Sequence, residues 1–159
     1  MTLVILGTQD KTFERLLKNI DKQIKKGNLK DEVIVQAGNT KYESKNMQVF
    51  DFIPMEQFDN FIKQADLVIT HGGVGSILSA IRNNKKIIAV PRLSKYKEHE
   101  NDHQLQIIDE FTKKGYILPC KDLNKLDEVL KQIKDFTPKK YISNNKKMLK
   151  IIEDYIDNL

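Results

Sequence analysis

Residues 66–81, DLVITHGGVGSILSAI, set His71, Gly72, Gly73, Val74, Gly75 and Ser76 between a short apolar run and a segment that favours a helix. Three of the chain's seven glycines fall within four positions here. Glycines have no β-carbon, so their backbone N–H groups can approach an anion closely, and the free amides and dipole of a helix N-terminus favour negative charge. The chemistry this points to is phosphate or diphosphate binding. His71 could donate a hydrogen bond at the rim, and Ser76 could cap the helix or offer its hydroxyl to a phosphate oxygen. A plain tight turn with a capping serine uses the same residues, and spacing alone leaves both readings open.

Two further segments carry polar groups at comparable places. Gly7, Thr8 and Gln9 follow the apolar run TLVIL and either line a ligand or form a simple turn in which Asp10 or Thr12 caps the next helix. RLSKYKEHENDHQ, residues 92–104, has no hydrophobic period and contains Glu98, His99, Asn101, Asp102, His103 and Gln104. Loops at the carboxyl ends of strands often carry function, and Asp and Gln side chains could read sugar hydroxyls. His99 and His103 lie four apart, but no third ligand has suitable spacing, so no metal site is expected. The pattern Gly-x-x-x-x-Gly-Lys-Ser/Thr is absent, and the first strand–helix junction, GTQDK, lacks Gly-x-Gly-x-x-Gly. A P-loop and a nicotinamide or flavin site are thereby set aside.

The elements that must position these residues follow from periodicity. TLVIL, EVIVQAG, NMQVFDFI, DLVIT, KKIIAVP and YILP are short apolar runs. Between them, Phe13, Leu16, Leu17, Ile20 and Ile24 recur at three and four residues, as do Leu105, Ile108 and Phe111. Gly27 and Gly115 stop those two helical patterns, and Pro54 opens another. Strands apolar throughout, alternating with helices, predict a doubly wound, mostly parallel α/β sheet of the Rossmann-like kind. One domain over residues 1–159 accommodates them. In such a sheet ligands bind beyond the carboxyl ends of the strands. Residues 141–159 read as a closing amphipathic helix, whose stripe of Ile142, Met148, Leu149, Ile151, Ile152, Tyr155, Ile156 and Leu159 fits either core packing or a partner.

Composition narrows the class. The formal net charge is +5, yet only three of the 27 basic residues are arginines. No arginine–aromatic cluster of the kind that reads or stacks on bases occurs, so nucleic acid is not expected as a partner. No apolar run nears the roughly 20 residues a membrane span needs. The opening MTLVIL reads as a first strand rather than a signal peptide. A lone cysteine, Cys120, excludes an internal disulfide or a cysteine-built metal site and fits a reducing cytoplasm.

In order and spacing, GTQ, THGGVGSILSA and PRLSKYKEHENDHQLQI together resemble the small single-domain glycosyltransferases of the family-28 C-terminal-domain type. That group includes the Alg13-like eukaryotic subunits and the PssE-like proteins of capsule and exopolysaccharide synthesis, and the resemblance covers nearly the whole chain. It implies the donor-binding half of a GT-B glycosyltransferase. Gly7, Thr8 and Gln9 would line the donor cleft, residues 71–76 would hold the diphosphate, and Glu98, Asn101, Asp102 and Gln104 would face the sugar or the adjoining loop. The implied reaction is inverting transfer from a UDP-sugar, carrying galactose or N-acetylglucosamine, to an acceptor on a lipid diphosphate, with no metal or other cofactor.

The resemblance also implies a separate, membrane-anchored partner of the Alg14 or PssD type, and so a cytoplasmic location peripheral to the membrane's inner face. A non-catalytic accessory subunit supporting that partner is the alternative it leaves open. The general base is unassigned, with His99 and His103 as local candidates. Related two-domain enzymes often place a ribose-gripping glutamate about eight residues after the histidine, whereas this chain has Ser79 there.

Overall fold

A computed structural model of the chain describes residues 1–141 together with Lys150, Ile152 and Glu153. Its strands are β1 (Thr2–Ile5), β2 (Val33–Gln36), β3 (Gln48–Phe50), β4 (Leu67–His71), β5 (Lys86–Val90) and β6 (Leu118–Pro119). The α-helices among the described stretches are α1 (Glu14–Lys25), α2 (Met55–Gln64), α3 (Val74–Arg82), α4 (His103–Lys113) and α5 (Leu126–Asp135). The strands form a single sheet in the order β3-β2-β1-β4-β5-β6. Every pairing is parallel.

That order explains why the strands are apolar on both faces. The chain steps outward from β1 to β3, then returns past β1 to β4 and continues to β6. Crossovers between parallel strands are right-handed, so a reversal of direction moves the connecting helices to the opposite face. The packing agrees. Val4, Val35, Ile69 and Ile88 point to the side covered by α1 and α5, where Leu16, Leu17, Ile20, Leu126 and Leu130 meet them. Leu3, Ile5, Val68 and Ile87 point the other way, onto Ile62 of α2, Ile77 and Ile81 of α3, and Ile108 and Phe111 of α4. The reversal falls between β1 and β4, whose registered ends, Ile5 opposite Thr70, open a crevice at the carboxyl edge of the sheet.

Local chemistry sets the ends of the helices. α1, α3 and α4 finish alike: the amides of Asn28, Lys85 and Tyr116 donate to the carbonyls of Gln23, Ala80 and Phe111, five residues back. Gly27, Asn84 and Gly115 take the positive φ this arrangement requires. α1 differs from the sequence expectation at its start. Neither Asp10 nor Thr12 caps it; it begins at Glu14 behind Phe13. Phe13 is fully buried and its amide donates to Thr40 Oγ1 at 2.9 Å, so burial of the ring, rather than a local cap, fixes the entry of the helix.

The helix expected over residues 141–159 lies largely outside the described residues. Of its residues, Tyr141 and Ile152 pack partly buried on the core beneath α2, α3 and α4. No helix among the described residues is long and apolar enough to cross a membrane.

Candidate functional site

The crevice between β1 and β4 is a cleft of about 250 Å³. The turn after β1 supplies Gly7, Thr8 and Gln9, and the β4–α3 junction supplies His71, Gly72, Gly73, Gly75 and Ser76. His99, Asn101, His103 and Gln104 close the side nearest β5. Ile5, Gln36 and Ile107, none of them singled out in the sequence, complete the wall. The three segments recognised separately in the sequence therefore meet at one point. Val74, Glu98 and Asp102 do not line the cleft.

α3 starts at Val74 with Gly73 at its N-cap position. Ser76 lies in the first turn and makes no capping bond, which corrects the reading of it as the cap. The first intrahelical bond runs from the Ile77 amide to the Gly73 carbonyl at 3.1 Å. The amides of Gly73, Val74, Gly75 and Ser76 find no acceptor among the described residues, as a helix start requires. The Gly72 amide is different: it donates to Gln104 Oε1 at 2.9 Å.

The glycines divide by what surrounds them. A β-carbon on Gly7 would lie 2.7 Å from His71 Cε1 and Nε2, and one on Gly73 would collide with the same ring. A β-carbon on Gly72 would come within 2.7 Å of Gln104 Cβ. These three glycines make room for a histidine and a glutamine inside the protein. Gly75 is the exception, since a β-carbon there meets nothing within 4 Å. Packing alone gives no reason for a glycine at 75, and open cleft space does.

His71 is 7% exposed. Burial, with the nearby positive charge of Arg92 adding to it, lowers its pKa to about 3, so the ring is neutral at pH 7. Its Nδ1 is 3.2 Å from Gln104 Nε2, and its Nε2 is 3.4 Å from Ser76 Oγ.

Behind this wall sits a node that sequence reading missed. Arg92 is fully buried just after β5. Its Nη2 and Nε donate to the Leu6 carbonyl at 2.6 and 3.2 Å, and its Nη1 donates to the carbonyls of Lys11 at 2.7 Å and Glu98 at 3.1 Å. The guanidinium thus clamps both ends of the Gly7–Gln9 turn, over the ring of Phe13 at 5.1 Å. Burial lowers its pKa to about 10, which leaves it charged. Asn39 holds the turn from the other side, donating to the carbonyls of Gln9 at 2.9 Å and Thr8 at 3.3 Å.

Of the two places the resemblance allowed Glu98, the sugar or the adjoining loop, it takes the loop, away from the cleft. It is 3% exposed and takes two bonds from Arg15, at 2.8 and 2.9 Å, and one from the Leu93 amide at 3.1 Å. Asp102 also turns away from the cleft, accepting from the Ser94 amide at 2.9 Å and its hydroxyl at 3.0 Å. Gln104 lines the cleft but is 3% exposed, with its amide spent inside the protein. Asn101 stays on the rim, where its Oδ1 accepts from the His103 amide at 3.0 Å. The residues of this loop that were expected to face the sugar or the loop itself therefore bond mainly to the protein around them.

His99 Nδ1 accepts from the Asn101 amide at 3.2 Å, so the neutral ring carries its proton on Nε2. Burial and the charge of Arg92 lower its pKa. His103 Nδ1 lies 3.4 Å from Gln106 Oε1 on the exposed side of the loop. Among the described residues, no group of three His, Cys, Asp or Glu side chains is placed to hold a metal ion.

Comparison with known proteins bears on this arrangement. The profile of the glycosyltransferase family 28 C-terminal domain matches residues 1–159. The chain belongs to that family. A relative from Debaryomyces hansenii, named UDP-N-acetylglucosamine transferase subunit ALG13, is 30% identical over 122 residues, which are 77% of this chain and 53% of the relative. The family-28 chain thus spans about half the length of that curated relative. A solution structure of ALG13 superposes with a TM-score of 0.62 at 22% identity, covering 95% of this chain and 93% of that one. The calicheamicin glycosyltransferase CalG4 gives a TM-score of 0.61 at 14% identity, covering 98% of this chain but 38% of its own. The family-28 chain therefore shares its fold with one part of the longer CalG4 chain.

Proposed function

We propose that this chain is the donor-binding catalytic subunit of a two-component inverting glycosyltransferase that moves a sugar from a UDP-sugar to a lipid-diphosphate-linked acceptor. The observation that carries the reading is that Gly73, Gly75 and Ser76, whose amides are unpaired, line a cleft at the switch point beside a neutral His71. As the bond between the sugar C1 and the UDP oxygen breaks, negative charge grows on the β-phosphate. The unpaired amides at this helix N-terminus would stabilise that charge, and fixed dipoles of this kind need little reorganisation during the reaction. His71 adds a hydrogen bond without adding a charge. In this proposal no metal ion takes part.

The relatives' printed names favour N-acetylglucosamine over galactose as the sugar, and the word subunit in them supports a partner chain. That partner, membrane-anchored and of the Alg14 or PssD type in the family resemblance, would supply the acceptor side of the cleft and hold this chain at the cytoplasmic face. A polysaccharide or glycan product rests on the same resemblance. Inversion needs a base beside the acceptor hydroxyl. His99 is poorly suited, because the ring nitrogen not bonded to Asn101 carries the proton. His103, which lines the cleft, is the local candidate, with a group on the partner as the other source.

The test is transfer by the co-purified pair, with UDP-N-acetylglucosamine and UDP-galactose as donors, in EDTA. Activity that disappears in the Gly75→Asp chain, while complex formation persists, supports the reading. Unchanged transfer with Gly75→Asp would place the donor site elsewhere, and this chain would then be an accessory subunit.

A further inference from the structure

Gln104 is nearly inaccessible, yet its side chain bonds both to the β4–α3 junction and to the start of the loop after β5. Its Oε1 accepts from the Gly72 amide at the end of β4 and from the Arg92 amide just past β5, both at 2.9 Å. Backbone N–H groups can only donate, so the group between them must be the carbonyl oxygen and not the NH2. The orientation of the side-chain amide is thus settled by its neighbours. Its Nε2 then points at His71 Nδ1, 3.2 Å away, and an NH2 group can only donate there. Nδ1 must carry the lone pair, and the proton of a neutral ring must sit on Nε2.

The direction of the hydrogen bonds continues outward. His71 Nε2 lies 3.4 Å from Ser76 Oγ, so with a proton on Nε2 the serine oxygen is the acceptor and its own hydrogen is free to point into the cleft. The ring sits beside Gly7 and Gly73, at each of which a β-carbon would collide with it. We infer that Gln104 is a positioning residue that locks His71 in its Nε2–H tautomer, so that the ring's one N–H is directed to Ser76 and the serine hydroxyl is left to donate to an anionic ligand. The inference rests on the donor-binding reading for its ligand, a nucleotide diphosphate, but the lock itself is a property of the free protein. The second nitrogen of a ligand histidine is commonly fixed by such a partner.

Gln104→Glu tests the lock directly. The carboxylate can still accept from the Gly72 and Arg92 amides, but it cannot donate to Nδ1. It is expected to draw a proton onto Nδ1, either by switching the tautomer or by making the ring titrate nearer neutrality. Long-range ¹H–¹⁵N correlation spectra of ¹⁵N-histidine protein report which ring nitrogen is protonated, with His99→Gln and His103→Gln chains assigning the three rings.

The expected result is a wild-type His71 with Nε2 protonated, unchanged down to mildly acidic pH, and Nδ1 protonated in Gln104→Glu. A fold disturbance alone would not invert the two nitrogens. A wild-type ring protonated on Nδ1 overturns the inference even if the variant does not fold, and so does a folded Gln104→Glu chain with the wild-type pattern. Adding UDP to the wild type separates the two claims. A locked ring whose signals ignore UDP removes the donor-binding reading and leaves the lock standing.

Discussion

The imidazole of His71 occupies the space that a β-carbon on Gly73 would need. Two residues that look in sequence like separate parts of a phosphate loop are thus one packing unit, in which the glycine exists partly so that the histidine can be buried. Gly7 completes the seat from the β1 side, at a φ of +83 that other residues rarely adopt.

The glycines should therefore separate by experiment. Gly73→Ala and Gly7→Ala are expected to displace the ring and lower stability by about 1–3 kcal/mol each, through steric overlap and, at Gly7, backbone strain. Gly75→Ala should leave thermal stability unchanged or raise it slightly, since alanine is the better helix residue by about 1 kcal/mol. The same methyl group enters the cleft, and UDP affinity should fall about tenfold, a loss of roughly 1.4 kcal/mol. Thermal melts and calorimetric titrations of the three variants check the pattern. Equal behaviour of Gly73→Ala and Gly75→Ala would contradict it.

Stability should depend on pH through His71. Its folded pKa, about 3, lies below the ordinary 6.5, so the unfolded chain binds a proton that the folded chain excludes. The resulting stability is fully present above pH 6.5 and is lost as pH falls from 6.5 toward 3, at about 1.4 kcal/mol per pH unit. The lowered carboxylates Asp21 and Asp102 lose their contributions only below their ordinary value of 3.8, so they leave the window from pH 6.5 to 4.5 clear. His99 is lowered too and adds to the slope. Urea unfolding across that window should show stability falling with acid in the wild type and a shallower slope in His71→Gln. Equal slopes would mean that His71 titrates normally.

Arg92 and Glu98 should prove structural. Arg92→Met leaves the buried carbonyls of Leu6 and Lys11 without their donor, with an expected cost of about 2–4 kcal/mol. Arg92→Lys recovers only part, because an ammonium cannot reproduce the planar fork. Glu98→Ala strands Arg15 and the Leu93 amide and should cost about 2–3 kcal/mol, with the preference among UDP-sugars unchanged. Denaturant melts give the first quantity and competition among UDP-sugars the second. A change in sugar preference at full stability would return Glu98 to the sugar site.

Much of the fold was legible in the sequence for a physical reason. A sheet covered on both faces makes runs such as LVIL and IIAV apolar at every position, and the helices between them carry their own period. The place of the candidate cleft was legible as well, because a glycine cluster where a parallel strand turns into a helix lies at the carboxyl edge of the sheet. Roles within the 92–104 loop were not legible. A polar residue can face a ligand or turn inward to satisfy backbone amides, and Glu98, Asp102 and Gln104 all turn to protein partners. Arg92 had one available signal. In a chain whose basic residues are nearly all lysines, an arginine marks a place where a planar, multidentate cation is needed, and two of the three arginines, Arg15 and Arg92, meet at this node. The α1 entry was misjudged because Thr40, which meets the Phe13 amide, lies 27 residues away.

Backbone ¹H–¹⁵N spectra of the chain titrated with UDP in EDTA test the central claim most directly. The predicted result is saturable binding with the largest shifts at the amides of Gly73, Val74, Gly75 and Ser76. Gly72 should move less, because its N–H remains bonded to Gln104. UDP that leaves those four amides unmoved at saturation, or that shifts only residues away from the β1–β4 crevice, would contradict the account.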